Sequence, residues 1–210
     1  MSKFLDKIIE RAKTDKQKIV LPEGSDIRTV QAARDIMDGG IADVVILGSE
    51  SEVTAHGIDV SDATVIDPRT SELLEPYAQK FAELRKKKGV TINEAREQMK
   101  DESYFGVMMV YMDDADGMVS GAGHSTGDTL RPALQILKTA PGTDLVSSFF
   151  VEDVPDCVYG DDGLFVFADC ALNIYPTAEE LAEIAIASAN SFEQLCGGEP
   201  RVAMLSYSSY

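Results

Sequence analysis

Tryptophan is absent from this chain, and cysteine and histidine are scarce. The three cysteines, Cys157, Cys170 and Cys196, are odd in number, far apart in sequence and without CxxC spacing. With only His56 and His124 as histidine ligands, this pattern indicates neither a disulfide framework nor a zinc site. No apolar run approaches the roughly 18 residues that span a bilayer, and the charged N-terminus lacks an apolar signal core. We therefore expect a cytoplasmic protein with reduced thiols, no membrane attachment and no metal or redox cofactor.

Positive charge is also in short supply. The 210 residues contain 19 Lys and Arg against 36 Asp and Glu, which gives a formal net charge of −17. A surface this acidic repels nucleic acid and anionic membranes, so we expect no nucleic-acid partner. An anionic substrate would be held by a few local arginines against the average field, which draws attention to Arg28, Arg85 and Arg131. The 44% hydrophobic content can bury the core of one large domain or two small ones.

Segments typical of strands alternate with segments typical of helices. Strands are predicted at residues 18–21, 42–47, 64–66, 117–120, 144–151, 164–168 and 201–206. Helices are predicted from Ser25 or Asp26 to the Gly39-Gly40 stop, at 71–88 and 104–111, and at the capping boxes Thr91-x-x-Glu94 and Thr177-x-x-Glu180. This alternation implies parallel βαβ units in a three-layer α/β/α fold, with ligands at the carboxyl ends of the strands.

The stretch from Asp116 to Leu134 is the most suited to bind a ligand. Its glycines and hydroxyl side chains follow a short strand and precede a helix: Gly117, Gly121, Gly123, Gly127, Ser120, Ser125, Thr126 and Thr129. Glycines let the backbone approach a ligand, the helix start offers unpaired N–H groups, and Arg131 adds a fixed charge. The pattern is neither a P-loop nor a clean GxGxxG motif. It indicates a phosphate or carboxylate site, and a plain strand-turn-helix connection is the alternative.

The helix that follows this stretch contains a proline. Pro132 is expected in the first helical turn, where its missing N–H is harmless. Leu134, Ile136 and Leu137 are expected to face inward.

Seven segments, in order, carry a family resemblance over essentially the whole chain. They are LPEGSDIRTVQAA, GIADVVILG, ELRKKKG, YFGVMMV, DGMVSGAGHSTGDTLRPALQILKTAPG, VPDCVYGDDGLFVFADCALNIYPTAEELAEIA and VAMLSYSSY. In these segments the chain resembles the N-terminal and central part of the phosphate acetyltransferases, or phosphotransacetylases, of the phosphate acetyl/butyryl transferase family. The segments SGAGHSTGDTLRPALQ and VPDCVYG favour the acetyl enzymes, and phosphate butyryltransferase is the alternative.

The resemblance implies reversible transfer of an acetyl group between acetyl phosphate and coenzyme A, which gives acetyl-CoA and inorganic phosphate. CoA is then a substrate, and its thiolate attacks acetyl phosphate directly in a ternary complex, where positioning supplies much of the acceleration. Arg85 and Arg131 match arginines that the family uses for its anionic substrates, and guanidinium suits phosphate. For Arg85, a cation that stabilises a helix C-terminus is the alternative.

Further residues gain expected roles from the resemblance. Arg28 matches the family segment SDIRT, and both a ligand contact and a plain surface position remain open for it. Ser120, His124 and Ser125 are expected to line the acetyl phosphate pocket. Cys157 matches a family cysteine near the active site, but its sequence neighbours supply no base, so we interpret it as a buried bystander.

The resemblance also implies two α/β domains in an arrangement like that of isocitrate and isopropylmalate dehydrogenases, and a homodimer. Residues 1–141 would form the first domain, lacking its C-terminal completion, and residues 142–210 the beginning of an incomplete second domain. The family's catalytic serine, arginine and aspartate are expected beyond Tyr210, so the catalytic residues are unknown. Two other functions stay open: a truncated, non-catalytic CoA- or phosphate-binding module, and a dehydrogenase, which the missing aspartate cluster and cofactor loop disfavour.

Overall fold

A parallel sheet organises the chain from Ile9 to Lys138. The structure is a computed structural model that describes residues 2–205. The chain forms two compact units, of which one holds Ile9–Lys138 and the other holds the residues up to Ile8 and from Thr139 onward. The strands of the first unit are β1 (Lys18–Leu21), β2 (Asp43–Leu47), β3 (Thr64–Ile66) and β4 (Gly117–Met118). They are all parallel and lie in the order β3-β2-β1-β4, which confirms the mixed α/β class.

The register of the sheet gathers three loops at one edge. Ile19 of β1 lies opposite Val44 of β2 and Gly117 of β4. Since the strands run in the same direction, their carboxyl ends meet at the same edge. There the N–H of Gly24 donates to the carbonyl of Leu47 at 2.9 Å. The loops after β1 and β2 therefore meet the loop after β4, residues 119–125, which we call the Gly-Ser loop.

Most of the helices begin at residues whose side chains accept hydrogen bonds from free backbone N–H groups. From the N-terminus they are α1 (Lys3–Thr14), α2 (Ile27–Asp38), α3 (Glu50–Thr54), α4 (Leu74–Leu84), a 3₁₀ turn (Lys86–Lys88), α5 (Ile92–Gln98), α6 (Glu102–Tyr111), α7 (Thr126–Ile136) and α8 (Ala178–Cys196). The side chains of Asp26, Asp101 and Ser125 accept hydrogen bonds at the starts of α2, α6 and α7. Both predicted capping boxes are confirmed, at Thr91 and Thr177.

Two apolar clusters cover opposite faces of the sheet. Strand residues alternate between them, because successive side chains of a strand point to opposite faces. Val20, Val45 and Leu47 pack with residues of α4 to α7, where the rings of Tyr77 and Phe105 lie 4.9 Å apart. The other cluster contains the remaining strand residues with those of α2 and α3: Leu21, Val44, Ile46, Val30, Ala33 and Val53. The sheet is thus buried on both faces.

The other unit contains a hairpin and a long helix. Its strands are β5 (Phe149–Asp153) and β6 (Leu164–Ala168), which pair antiparallel with Val151 opposite Val166. Helix α8 packs against β6. It ends at Gly197, whose φ of +76° is a conformation that glycine adopts without strain.

Two strand predictions in this unit are wrong. The predicted parallel pairing fails because β5 and β6 are joined by the turn at residues 154–163, which is too short for a crossover helix and makes an antiparallel hairpin. The strand predicted at 201–206 is not present in residues 201–205, which pair with no strand; Ser206 lies outside the described residues. The strand predicted at 144–151 begins only at Phe149.

Four details of the Ile9–Lys138 unit also differ from prediction. Helix α7 begins at Thr126, so Pro132 lies in its second turn rather than its first. Of the three apolar residues predicted to face inward, Ile136 is buried but Leu134 and Leu137 are exposed, because Pro132 and Ile136, four residues apart, form the inward face. The helix predicted at 71–88 is shorter, Leu74–Leu84, and β4 ends at Met118 rather than at residue 120.

Candidate functional site

The Gly-Ser loop folds around the carboxylate of Glu23. Four consecutive backbone N–H groups donate to this carboxylate: Gly121 at 3.1 Å, Ala122 at 3.0 Å, Gly123 at 2.7 Å and His124 at 3.0 Å. The φ of Gly121 is +120°, a value that side-chain-bearing residues rarely adopt, which explains why glycine begins this turn. The loop does bind an anion, as its sequence indicates, but that anion is the chain's own Glu23.

The environment of Glu23 keeps it ionised. Burial raises the pKa of its carboxyl, but the hydrogen bonds from Gly123, Ala122 and His124 outweigh burial and lower the pKa to about 2. The residue is only 6% exposed. Its Oε1 also lies 2.8 Å from Nδ1 of His124. Since an ionised carboxylate can only accept hydrogen bonds, Nδ1 carries the proton in this contact.

A cavity of about 760 Å³ lies beside the Gly-Ser loop within the Ile9–Lys138 unit. Arg85 enters it from the end of α4, Arg131 from α7 and His124 from the loop. The other lining residues are Phe81, Val90, Glu94, Gln98, Asp101, Ser103, Tyr104, Asp128 and Gln135. Three of the six predicted substrate-binding residues therefore line one cavity.

The two arginines of this cavity retain unused hydrogen-bonding capacity. Nη1 of Arg131 lies 3.5 Å from Asp128, and both side chains are more than half exposed. Nε of Arg85 is buried and has no hydrogen-bond partner in the part of the chain that the structure describes. Tyr104 donates its hydroxyl to Gln135 at 3.2 Å, and burial raises the pKa of Tyr104, which keeps it neutral. Two guanidinium groups beside neutral donors can bind a phosphate group.

Arg28, Ser120 and Ser125 line neither this cavity nor the second one described below. Arg28 binds both oxygens of Asp26 and donates to the backbone carbonyl of Ala122, so it fastens the outer side of the Gly-Ser loop. Ser125 caps α7 by accepting the N–H of Asp128 at 3.2 Å. The hydroxyl of Ser120 is buried without a hydrogen-bond partner among residues 2–205.

A second cavity, of about 400 Å³, lies over the carboxyl edge of the sheet. Glu23 and Gly24 after β1, and Gly48 after β2, contribute to its wall. His124 lines this cavity as well as the larger one.

Sequence reasoning missed Glu23, Tyr104 and Ser103. A signal existed for Glu23, because it directly follows a buried strand, at the end where ligands of parallel sheets are expected. Ser103 is 2% exposed, and its hydroxyl has no partner within the described chain. No motif marks Ser103 or Tyr104, which lie in the first turn of an otherwise apolar helix.

Cys157 is not the buried bystander that its sequence context predicts. It lies in the turn between β5 and β6, is partly exposed, and its Sγ is 3.9 Å from the carbonyl of Tyr159. Cys196, at the end of α8, is the buried cysteine, and burial raises the pKa of its thiol.

Comparison with known proteins supplies the family. The sequence profile described as phosphate acetyl/butaryl transferase matches residues 3–210. The chain belongs to this family. It is 56% identical over 208 residues to a phosphate acetyltransferase of Thermoanaerobacterium thermosaccharolyticum, and 58% identical over 209 residues to one of Acetivibrio thermocellus. These matches cover 98% and 99% of the chain but 63% of each relative, so this member of the family spans about 63% of the length of those relatives.

Solved structures agree with this assignment to the phosphate acetyl/butaryl transferase family. A phosphotransacetylase from Streptococcus pyogenes is similar with a TM-score of 0.90 and 42% identity, covering 99% of this chain and 63% of that one. The EutD phosphotransacetylase from Staphylococcus aureus is similar with a TM-score of 0.86 and 42% identity, covering 98% and 61%. Within residues 2–205, no helix is long and apolar enough to cross a membrane, and no His, Cys, Asp or Glu cluster is placed to hold a metal ion.

Proposed function

We propose that the protein is a phosphate acetyltransferase, which transfers an acetyl group reversibly between acetyl phosphate and coenzyme A. The observation that carries the proposal is the cavity that Arg85, Arg131 and His124 line in a member of the phosphate acetyl/butaryl transferase family. Each substrate carries phosphate, and neither arginine is fully used by other residues of the chain. In the reaction the CoA thiolate attacks the acetyl carbon of acetyl phosphate, and inorganic phosphate leaves.

Arg85 and Arg131 bind phosphate groups of the substrates in this proposal. A guanidinium can give two parallel hydrogen bonds to phosphate, and each bond to a charged group is worth about 1.5–3 kcal/mol. His124 contacts the substrates from the Gly-Ser loop. Ser120, Ser125 and Arg28 do not line the cavity, and we propose that they support it from outside. Arg28 does so through its hydrogen bond to the loop carbonyl of Ala122.

The larger arrangement is proposed from the family. The protein would have two α/β domains arranged as in isocitrate and isopropylmalate dehydrogenases, with residues 1–141 in the first and residues 142–210 in the second. It would act in the cytoplasm as a homodimer.

The test measures thioester formation from acetyl phosphate and CoA. The purified chain is assayed alone and joined to the segment of the Acetivibrio thermocellus relative that the match leaves uncovered. Each form is made as wild type, Arg85→Ala, Arg131→Ala and the control Arg34→Ala, whose side chain pairs with Asp38 on α2 and lines neither cavity. Loss of one charged hydrogen bond predicts at least a tenfold rise in KM for Arg85→Ala and Arg131→Ala, and none for Arg34→Ala.

The outcomes separate the proposed functions. Turnover in either form that depends on Arg85 and Arg131 supports the acetyltransferase. CoA binding that depends on these arginines, without turnover in either form, supports a non-catalytic binding module instead. Because the family includes butyryl as well as acetyl enzymes, butyryl phosphate is assayed beside acetyl phosphate. A higher kcat/KM for butyryl phosphate would replace the acetyl assignment.

A further inference from the structure

Glu23 accepts hydrogen bonds from five groups, although it is not among the substrate-binding residues proposed above. Four are the backbone N–H groups of residues 121–124, and the fifth is Nδ1 of His124. The partners lie about a hundred positions later in the sequence, so the contact is part of the tertiary structure and not a local turn. A carboxylate buried to this degree needs such donors, because burial of an unpaired charge is costly.

We propose that Glu23 is a positioning residue: its carboxylate holds the Gly-Ser loop and keeps a proton on Nδ1 of His124, so that Nε2 is the ring nitrogen that faces the substrates. The contact between Nε2 and substrate rests on the acetyltransferase function proposed above. The tautomer and the loop do not, because they follow from contacts within the chain.

The tautomer follows from the chemistry of the pair. In neutral imidazole one ring nitrogen donates and the other accepts, and the partner of one nitrogen decides the state of the other. Here the partner of Nδ1 is a carboxylate at 2.8 Å, so Nδ1 donates and Nε2 has the lone pair. Nε2 has no hydrogen-bond partner among the described residues, and His124 lines both cavities.

A lone pair on Nε2 selects a ligand group that donates a hydrogen bond. Among the groups that react, two are such donors, the thiol of CoA and the O–H of protonated inorganic phosphate. Both would be held beside Arg85 and Arg131, which line the same cavity as His124. The two ligands can be distinguished by titrating them separately.

Nitrogen NMR of the histidine rings tests the tautomer directly. The full chain is labelled with ¹⁵N-histidine, and long-range ¹H–¹⁵N correlations are recorded at pH 8 without ligand. The two histidines are assigned with His56→Gln, which lies outside both cavities. We expect His124 to be protonated on Nδ1 with a bare Nε2. A wild-type His124 protonated on Nε2 would overturn the proposal without any variant of Glu23.

Glu23→Gln tests the role of the carboxylate. Glutamine keeps the size of the side chain but offers one acceptor oxygen and two N–H donors to a site made of five donors. We expect His124 to become a mixture of tautomers or to be protonated on Nε2, while the signals of His56 stay in place and report that the unit is folded. Glu23→Asp, which keeps the charge, is expected to retain the Nδ1 tautomer. An unchanged His124 pattern in folded Glu23→Gln overturns the positioning role.

Ligand titrations test the substrate contact. Saturating CoA or inorganic phosphate is expected to shift the Nε2 resonance of wild type, and the ligand that does so identifies the donor. No shift with either ligand, in a chain that has the expected tautomer, overturns the contact with substrate. A shift in a chain that fails the thioester assay supports this contact and counts only against the proposed reaction.

Discussion

At the scale of single residues, the main lesson is that a glycine-rich loop can bind an anion that belongs to its own chain. Four successive N–H groups point to Glu23, so none of them is available to a phosphate. In the proposed function the charges for an external phosphate come instead from Arg85, which directly follows α4, and Arg131, which lies in α7. The loop positions His124, which lines both cavities.

The acid sensitivity of the fold should depend on Glu23. Its pKa is lowered from the ordinary 4.5 to about 2, so its hydrogen bonds stabilise the fold fully above about pH 4.5, and this is lost as pH falls through about 2. At 1.36 kcal/mol per pKa unit, the contribution is about 3 kcal/mol. We expect urea unfolding to show that Glu23→Gln is less stable than wild type at pH 6, and that the difference shrinks between pH 4.5 and 2.

A neutral variant provides the control for this pH dependence. Thr54→Ala removes a hydrogen bond from the Thr54 hydroxyl to the Glu50 carbonyl, and no charge. Its destabilisation is expected to stay constant over the same pH range. If the destabilisation by Glu23→Gln were also constant over this pH range, the hydrogen bonds to the ionised carboxylate would not stabilise the fold.

Sequence reasoning found the arginines and His124 but not Glu23 because it depends on local patterns. Arg85 follows a helix and Arg131 lies within one, and both stand in segments with a family resemblance. The pair Glu23 and His124 is separated by 101 residues, and only the pairing of β1 with β4 brings them together. A local window cannot register such a contact.

At the scale of helices and strands, the elements that could be predicted are those bounded by turn or capping residues. Strands β1, β2 and β3 are short buried runs bounded by turn residues, and their sequence positions are confirmed within one residue. Helix α8 is confirmed together with its capping box and its Gly197 stop. The direction of β6 relative to β5 was wrong because periodicity identifies a strand but not its partner.

The start of α8 offers a test of capping. The hydroxyl of Thr177 accepts the N–H of Glu180 at 3.2 Å, and the Glu180 carboxylate accepts the N–H of Thr177 at 2.7 Å. Thr177→Ala removes the first of these bonds. We expect the free energy of unfolding, measured by circular dichroism in urea, to fall by about 1 kcal/mol. Thr177→Ser keeps the hydroxyl and should remain close to wild type. An equal loss in both variants would mean that the methyl group, and not the cap, matters.

At the scale of the whole chain, the net charge of −17 acts on stability as well as on ligands. Like charges repel in the folded state, and salt screens this repulsion. The Debye length falls from about 30 Å at 0.01 M to about 8 Å at 0.15 M ionic strength. The folded chain should therefore gain stability over this range of salt.

We expect the thermal midpoint at pH 7 to rise by about 2–4 °C between 10 and 150 mM NaCl, which corresponds to about 1 kcal/mol. Near pH 4.4, the isoelectric point of the sequence, the rise should disappear because the net charge is close to zero. Differential scanning calorimetry of the same preparation at both pH values makes the comparison. If the thermal midpoint rises equally with salt at both pH values, the rise is not caused by screening of the net charge.

The closure of the Gly-Ser loop around Glu23 also constrains the order of folding. The loop closes on a residue 98 to 101 positions earlier, and its geometry exists only after Ile19 of β1 has come to lie opposite Gly117 of β4. Contacts between distant residues form late, because the entropy of closing the intervening chain is lost before they can form. In pulse-labelling hydrogen exchange, we therefore expect the amides of residues 121–124 to become protected after those of the central strands, so that the cavity lined by His124 is completed last.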